Sequence, residues 1–366
     1  MQCGNCNDTV RNNTWKCPSC GADLPGGLVF VTGIPGSGTG EFLKKVESDA
    51  KAHGHDVEIF DVGETMHQFA LEDGPNVKWS QILDADPILL RSLRNLACQD
   101  LRHKIEMHPE VLRIVDLHLS FRWKIFLTKG FEPHVISDFS KHIRLFVNLI
   151  ADLSNVQEEL ALTSWGKREI LELIIWRDEE LFLSDMFAEI SGRVSSCALS
   201  INEPSSMLEN IIWHPARKRV YLSFPITNIL EDEDAKREIE DFRDALRDFL
   251  VVFYPHSSKD YDDTYKRDEL KSLRPEIGDV TVSRDYRFID QSEAIVVYFP
   301  KKVDSKGVDA EMNHALRTGK EIFLYSPEDL GGGPFAVEPG HFSPDKEEYL
   351  ELLKRELVNK SQEEES

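Results

Sequence analysis

The chain has 366 residues, which leaves room for two domains of ordinary size and a small additional module. Its formal net charge of -22, from 65 acidic and 43 basic side chains, excludes broad electrostatic attraction to nucleic acid or to anionic membranes. No apolar run reaches the roughly 20 residues that cross a bilayer, and the N-terminal sequence lacks the features of a signal peptide, so we expect a cytoplasmic protein.

Four cysteines near the N-terminus form two Cys-x2-Cys pairs, at Cys3, Cys6, Cys17 and Cys20. This spacing lets four thiolates meet around one tetrahedral ion, and we predict a structural zinc ribbon over residues 1–26. Two disulfides or a redox motif are the alternatives. A reducing cytosol disfavours the first, and the doubling of the motif disfavours the second. Four protein ligands would leave the zinc no open position for catalysis.

A short apolar run at 28–32 leads into a glycine-rich turn and then into a stretch with helical spacing. In this order of strand, loop and helix, a phosphate group binds to backbone N–H groups at the helix N-terminus. The turn departs from the phosphate-loop pattern G-x-x-x-x-G-K-[ST], because Thr39 and Gly40 stand where the lysine and the Ser/Thr belong. The predicted nucleotide-binding residues of the loop are Gly33, Gly36, Ser37, Gly38, Thr39 and Gly40.

Further strands are predicted at 56–62, 111–116 and 144–152, with helical stretches between them. Strands that alternate with helices predict a parallel, doubly wound sheet. We assign this first α/β domain to residues 27–192.

Within this domain the sequence resembles the archaeal-type adenylate kinases and related small nucleotide kinases, over roughly residues 28–190. The resemblance rests on "VTGIPGSG" at the phosphate loop, "DVGETM" (61–66), "VDLH" (115–118) and "NLIADL" (148–153). It implies that Asp116 lies beside a magnesium-bound phosphate and that Glu64 lies near the acceptor nucleotide.

The departures from that family bear on activity. The loop has no lysine to contact the β- and γ-phosphates and no Ser/Thr hydroxyl for the magnesium. The lid region, 163–180, has only Lys167, Arg168 and Arg177 in place of several arginines. We therefore expect a domain that binds a nucleotide but transfers phosphate poorly, or a structural relic. An active kinase that takes its side chains from elsewhere is the third alternative.

A linker is predicted at 193–217, where periodicity is lost, and a second domain at 218–360. Its predicted strands at 218–224, 250–255, 293–300 and 321–327 again alternate with helices, which predicts a second, smaller α/β domain with a parallel sheet. A polar turn that contains Ser305 and Gly307 leads into a helix at the carboxyl end of a buried strand. Open α/β sheets bind ligands at such positions, and we predict that these two residues bind a substrate phosphate.

Residues 218–330 resemble the nucleoside 2-deoxyribosyltransferase family, including its branch that hydrolyses nucleoside 5'-monophosphates. The resemblance rests on "VYLSF" with Tyr221, "SRDYRFIDQSEAIVVYF" with Asp285, and "SKGVDAEMNHALRTGK" with Glu311. It implies that these three residues act together on an N-glycosidic bond and that Ser305 contacts a 5'-phosphate.

The chemistry requires residues of these types. Cleavage of the bond develops positive charge on the anomeric carbon and negative charge on the base. Glu311 can attack or stabilise that carbon, Asp285 can protonate or orient the base, and Tyr221 can fix the glutamate. The structural alternative is that Glu311 is an acid favoured by a helix N-terminus and Asp285 a surface charge.

Together these patterns predict an enzyme that cleaves or transfers the base of a nucleoside or nucleoside monophosphate in its second domain. The weakened kinase-like domain would bind a regulatory nucleotide. A non-catalytic nucleotide sensor and an active nucleoside monophosphate kinase are the alternatives. Expected cofactors are the structural zinc and magnesium with a nucleotide. Expected partners are a nucleoside or nucleotide, with no nucleic acid and no membrane. Because related transferases build their sites across subunits, the resemblance also implies a homo-oligomer.

Overall fold

The computed structural model describes residues 26–72, 86–123, 126–192, 194–229, 232–260, 268–328 and 339–359. The chain forms two compact units. One consists of Met1–Ser206 with Asp262–Leu273, and the other of Met207–Tyr261 with Arg274–Ser366. The four cysteines predicted to bind zinc, Cys3, Cys6, Cys17 and Cys20, lie outside the described residues, so the zinc ribbon stays a prediction.

The strands of the first unit are β1 (Gly27–Thr32), β2 (Val57–Asp61), β3 (Leu112–Leu117), β4 (Ser120–Trp123), β5 (Phe126–Lys129), β6 (Ile143–Ile150) and β7 (Ser195–Ser200). Five of them form a parallel sheet in the order β2-β3-β1-β6-β7. The other two, β4 and β5, pair as an antiparallel hairpin.

Helices cover both faces of this sheet, as a parallel sheet requires. They are α1 (Thr39–Ala52), α2 (Val62–Glu72), α3 (Pro87–Met107), α4 (Pro133–Phe139), α5 (Leu153–Ala161) and α6 (Ile170–Ile190), and α7 (Ser205–Trp213) follows β7. Every residue of β6 is buried, and Phe146 packs edge-on against Phe30 of β1 with 5.3 Å between the ring centroids. The near-continuous apolar runs of these strands are therefore explained by burial on both faces.

The second unit contains another parallel sheet of five strands. Its strands are β8 (Arg219–Ser223), β9 (Val251–Phe253), β10 (Ala294–Tyr298), β11 (Glu321–Tyr325) and β12 (His341–Ser343). Their order in the sheet is β12-β11-β10-β8-β9. The helices of this unit are α8 (Ile226–Ile229), α9 (Glu233–Arg247), α10 (Arg274–Asp290), α11 (Lys306–Arg317) and α12 (Lys346–Lys354).

One face of the second sheet is covered by α9 and α12 through a cluster of aromatic side chains. Phe242 of α9 stacks on Tyr298 of β10 at 4.2 Å and on Tyr349 of α12 at 5.9 Å between centroids. Both tyrosines are fully buried, and the Tyr349 hydroxyl donates to the carbonyl of Val297. The aromatic cluster therefore fixes these two helices on the sheet and leaves the opposite face to α10 and α11.

The predicted α/β class with two parallel sheets is confirmed. The segment predicted as a linker, 193–217, contains β7 and α7. Its serine-rich sequence, "SSCALS" in β7, lacks the long apolar run of an inner strand, because among the described strands β7 lies at the edge of the sheet and pairs with β6. None of the described helices is both long enough and apolar enough to span a bilayer.

Candidate functional site

The predicted phosphate loop connects β1 to α1 at the carboxyl edge of the first sheet. Gly38, which caps α1, has a φ of 77°, in the left-handed region that disfavours other residues. A Cβ on Gly33 would lie only 2.9 Å from the carbonyl oxygen of Leu149, so the neighbouring backbone leaves no space for a side chain. The backbone of the loop itself thus requires glycine at these two positions.

The order of the strands creates a crevice at this edge. β1 and β3 are neighbours in the sheet. After β1 the chain continues through α1 to β2, which lies beyond β3, whereas after β3 it continues to β6, which lies beyond β1 on the other side. In open α/β sheets the crevice at the carboxyl ends of such strands binds ligands. The phosphate loop follows β1 and Asp116 lies near the end of β3, so both predicted elements border this crevice.

A cavity of about 880 Å³ opens at the crevice. Its volume lies in the range of small-molecule sites. The predicted loop residue Gly33 is not part of its lining. All the other predicted nucleotide-binding residues line it, namely Gly36, Ser37, Gly38, Thr39, Gly40 and Asp116.

Two carboxyl groups stand side by side in the cavity. Asp61 on β2 and Asp116 on β3 occupy matching positions of the sheet. Burial, with the nearby charge of Asp61, raises the pKa of Asp116 to about 8. Magnesium binds proteins through one or two carboxylates together with phosphates and water, and its charge would relieve the repulsion. The pair therefore fits the magnesium that the kinase resemblance implies, although the described residues contain no cluster of three or more metal-binding side chains.

The basic residues of the predicted lid make contacts within the protein. Arg168 donates to Glu172 at 2.8 Å, and its guanidinium lies 5.4 Å from the centre of the Trp165 ring. Arg177 is buried and donates to the carbonyl of Ala151. Lys167 is exposed, and none of the three lines the cavity.

Sequence reasoning missed the two basic residues that do line the cavity, Lys44 of α1 and Arg94 of α3. Helical periodicity could have found Lys44, because it stands four residues after Gly40 on the same face of the helix. No local pattern points to Arg94, since α3 is distant from the loop in the sequence.

His118 joins the end of β3 to the phosphate loop. Its Nδ1 lies 2.6 Å from the carbonyl oxygen of Gly33, so Nδ1 carries the proton and donates. Burial lowers the pKa of His118 and keeps the ring neutral. The side chain also lines the cavity. One ring nitrogen of His118 is thus bonded to the phosphate loop, and the side chain is also placed to contact a ligand in the cavity.

A second connection between these strand ends comes from Glu180 of α6, which is fully buried. Its carboxylate accepts hydrogen bonds from the Thr32 hydroxyl, from the amide of Leu119 at 2.6 Å and from the Ser120 hydroxyl at 2.5 Å. Thr32 directly precedes the phosphate loop, and Leu119 follows β3. Burial raises the pKa of Glu180 to about 7, although the hydrogen bonds lower it.

In the second unit the structure brings together two residues predicted from sequence. The Tyr221 hydroxyl on β8 donates to Oε1 of Glu311 on α11 at 2.9 Å. Ser223, two residues further along the strand and on the same face, donates to Oε2. Both carboxylate oxygens of Glu311 are thus held by hydroxyl groups in a single orientation.

The third predicted residue, Asp285 of α10, is bound to its neighbour Arg284. The Nε and Nη2 atoms of Arg284 donate to Oδ1 of Asp285 at 3.0 and 2.8 Å, and Nη2 also donates to the carbonyl of Pro255. Both side chains are more than nine-tenths buried. Burial raises the pKa of Asp285, while Arg284 acts in the opposite direction.

Glu311 and Asp285 influence each other electrostatically. Burial and repulsion from Asp285 raise the pKa of Glu311 to about 8. Because Arg284 donates directly to Asp285, Glu311 is the group of the pair that holds a proton most readily. Near neutral pH Glu311 therefore favours its protonated form.

The remaining predicted residues lie at the N-terminus of α11. The Ser305 hydroxyl caps this helix and accepts from the amide of Val308 at 3.4 Å, and Gly307 is exposed in the first turn. Phosphate binding here stays a prediction. Sequence reasoning did not single out Ser223 or Arg284. The alternation of side chains along a strand could have indicated Ser223, whereas adjacency to Asp285 gives no pattern for Arg284.

No protein-family model matches the chain, and no curated protein matches its sequence. Among solved structures, the chain is similar to the tunicamycin resistance protein of Deinococcus radiodurans, with a TM-score of 0.27 and 11% identity over 46% of this chain and 95% of that one. It is also similar to a gluconokinase from Sinorhizobium meliloti 1021, with a TM-score of 0.25 and 16% identity over 52% of this chain and 88% of that one. Both TM-scores are far below 0.5, so neither similarity carries weight for the function.

The titration of Glu180 gives a testable prediction about stability. An acid whose pKa is higher in the folded protein stabilises the fold at low pH, and that stability is lost as the pH rises from about 4.5 to about 7. The shift corresponds to about 3 kcal/mol. Over this pH range we expect the unfolding free energy of Glu180→Gln to fall by about 3 kcal/mol less than that of the parent protein. Urea unfolding of both proteins between pH 4.5 and 8 measures the difference, and parallel pH profiles would contradict it.

Proposed function

We propose that this protein handles nucleotides and that its second unit cleaves or transfers the base at the N-glycosidic bond of a nucleoside or nucleoside monophosphate. The observation that carries the proposal is the hydrogen bond between Tyr221 and Glu311, with Asp285 close enough to repel the Glu311 carboxylate. The three residues come from β8, α10 and α11, and the resemblance to nucleoside deoxyribosyltransferases assigns them to one site.

In the proposed reaction Glu311 acts on the sugar. The electron pair of the C–N bond moves to the base, and positive charge develops on the anomeric carbon. The ionised carboxylate of Glu311 attacks this carbon or stabilises it, held by the hydroxyl groups of Tyr221 and Ser223. This charge interaction is stronger in the transition state than with the bound substrate, as catalysis requires.

Asp285 supplies the proton in the same step. In the reactive state the proton that Glu311 holds in the free protein passes to Asp285, which donates it to the nitrogen of the departing base, and Glu311 meets the sugar as a carboxylate. Arg284 holds Asp285 in place through two hydrogen bonds to Oδ1. Water or a second base then attacks the anomeric carbon, its proton returns to Asp285, and the bond to Glu311 breaks, which gives hydrolysis or transfer.

The first unit contributes nucleotide binding in this proposal. The amides at the N-terminus of α1 face the cavity and suit a phosphate group. Asp61 and Asp116 would hold the magnesium that accompanies the nucleotide, where it would neutralise phosphate charge. The alternative is a nucleotide sensor without catalytic activity. Absence of base release from the parent protein would favour this alternative.

Substitution of Glu311 tests the catalytic role. Glu311→Gln keeps the shape of the side chain but removes the charge that meets the sugar cation. We expect base release to fall by on the order of a hundredfold or more while the substrate still binds. Chromatography of free base from a panel of nucleosides and monophosphates measures the rate.

Asp309→Asn is the matched control, because Asp309 is an exposed acid in the first turn of the same helix. It removes the same charge from α11 without touching Tyr221 or Ser223, so its rate should equal that of the parent. Equal rates of base release for the folded Glu311→Gln variant and the parent would contradict a catalytic role of Glu311.

The shared proton predicts the pH dependence. Activity requires one proton on the pair, so the rate of base release should fall as the pH rises through about 8, where Glu311 loses its proton. The Ser223 hydroxyl lowers the pKa of Glu311. Ser223→Ala should therefore move the alkaline limb of the kcat/KM profile to higher pH. A limb at the same pH in both proteins would contradict this assignment.

A further inference from the structure

The cavity of the first unit is lined by two basic side chains from different helices, Lys44 and Arg94. Within the part of the chain that the structure describes, no hydrogen bond or ion pair holds either of them. In a chain with a formal net charge of -22, carboxylate partners are abundant. Two cations with no direct contact of this kind among the described residues, in the same cavity as the phosphate loop, indicate an anionic ligand.

The position of Lys44 relates it to the missing loop lysine. Lys44 stands four residues after Gly40 on the same face of α1, and both residues line the cavity. Gly40 has no side chain of its own. The nearest atom to a Cβ built there would be Oδ2 of Asp116, at 3.9 Å. The space is therefore open for an ammonium group to reach the phosphate position.

Arg94, on a different helix, contributes a guanidinium group to the same cavity. It is half-buried on α3, and burial lowers its pKa, although the nearby charge of Glu132 acts in the opposite direction. Glu132 itself is hydrogen-bonded to Lys129. A desolvated guanidinium is costly until an anion binds it, and its planar set of N–H groups matches phosphate oxygens.

Two hydroxyl groups of the loop give an independent indication of a ligand. Ser37 and Thr39 are 5% and 6% exposed and line the cavity. Neither Ser37 Oγ nor Thr39 Oγ1 has a hydrogen-bond partner among the described residues. A buried hydroxyl without a partner destabilises the protein, and a phosphate oxygen would accept from it.

We propose that Lys44 and Arg94 bind the phosphates of a nucleoside polyphosphate in this cavity and replace the lysine that the loop lacks. The inference rests on nucleotide binding by the first unit and specifies the class of ligand. The loop amides and hydroxyls suffice for one phosphate. The cavity also contains two cations from separate helices and a pair of carboxylates suited to magnesium. These additional groups could bind the further phosphates of a polyphosphate chain.

Binding of magnesium tripolyphosphate to the full-length protein, measured by titration calorimetry, tests the proposal. Lys44→Ala should weaken binding by about tenfold or more, as expected for loss of a charge-assisted contact. Lys45→Ala is the matched control, because Lys45 is exposed on the same helix and does not line the cavity. It changes the net charge equally and should bind within about twofold of the parent.

Arg94→Gln should weaken binding to a similar extent, and thermal unfolding would show that this half-buried variant is folded. Equal affinities for Lys44→Ala and Lys45→Ala would overturn the proposal, as would absence of tripolyphosphate binding by the parent. Tripolyphosphate contains no N-glycosidic bond, so failure here is independent of base release by the second unit. Conversely, a parent that binds tripolyphosphate as predicted but releases no base would refute only the glycosidic reaction.

Discussion

The proposed chemistry of the second unit depends on the repulsion between the carboxyl groups of Asp285, which is buried, and Glu311, which is half-buried. Asp285 and Glu311 cannot both ionise at low cost, because Arg284 is bound to only one of them. The parallel sheet makes this arrangement possible. β8 presents two hydroxyls to Glu311, while α10 and α11 bring an acid each to the same end of that strand. A fold that held these helices further apart would leave two ordinary acids.

In the first unit, too, charged side chains lie together at one site, and two of them are basic. Lys44 and Arg94 line the cavity and have no hydrogen bond or ion pair with the described residues, whereas other basic residues pair with acids, as Arg113 does with Glu58. Asp61 and Asp116 repel each other beside them. Burial disfavours the charged forms of Arg94 and Asp116 in the free protein, and both charges become favourable when phosphate and a divalent cation are present. Uncompensated charge is thus concentrated where a ligand would compensate it.

The sequence was most informative where burial dictates composition. Inner strands such as β6 and β10 are largely apolar because both faces are covered, although β6 also buries Arg144 and Asn148, and their positions were predictable. β7 was not, because an edge strand tolerates small polar residues such as Ser195 and Ser196. The Tyr221–Glu311 contact was anticipated through a family resemblance, since no local pattern joins residues so far apart.

The residues that line the cavity show a second limit of prediction from the sequence. Its glycine-rich loop is a local motif and could be recognised, but its cations come from outside the motif. Lys44 follows from helical periodicity, a short-range rule, whereas Arg94 depends on how α3 packs in three dimensions. Ser223 and Arg284 belong to the same class of residue as these cations. They orient or neutralise the predicted groups, and such roles are set by geometry rather than by spacing along the chain.

One buried side chain has a mechanical consequence for the first unit. Glu180 ties the last residue of β1 to the segment that opens the β4–β5 hairpin. Phe121 of that hairpin and the phosphate loop that follows β1 both line the cavity. Because one buried carboxyl group accepts hydrogen bonds from both segments, moving one segment relative to the other would break buried hydrogen bonds. The hydrogen bonds of Glu180 therefore oppose a change in the shape of the cavity where these two segments line it.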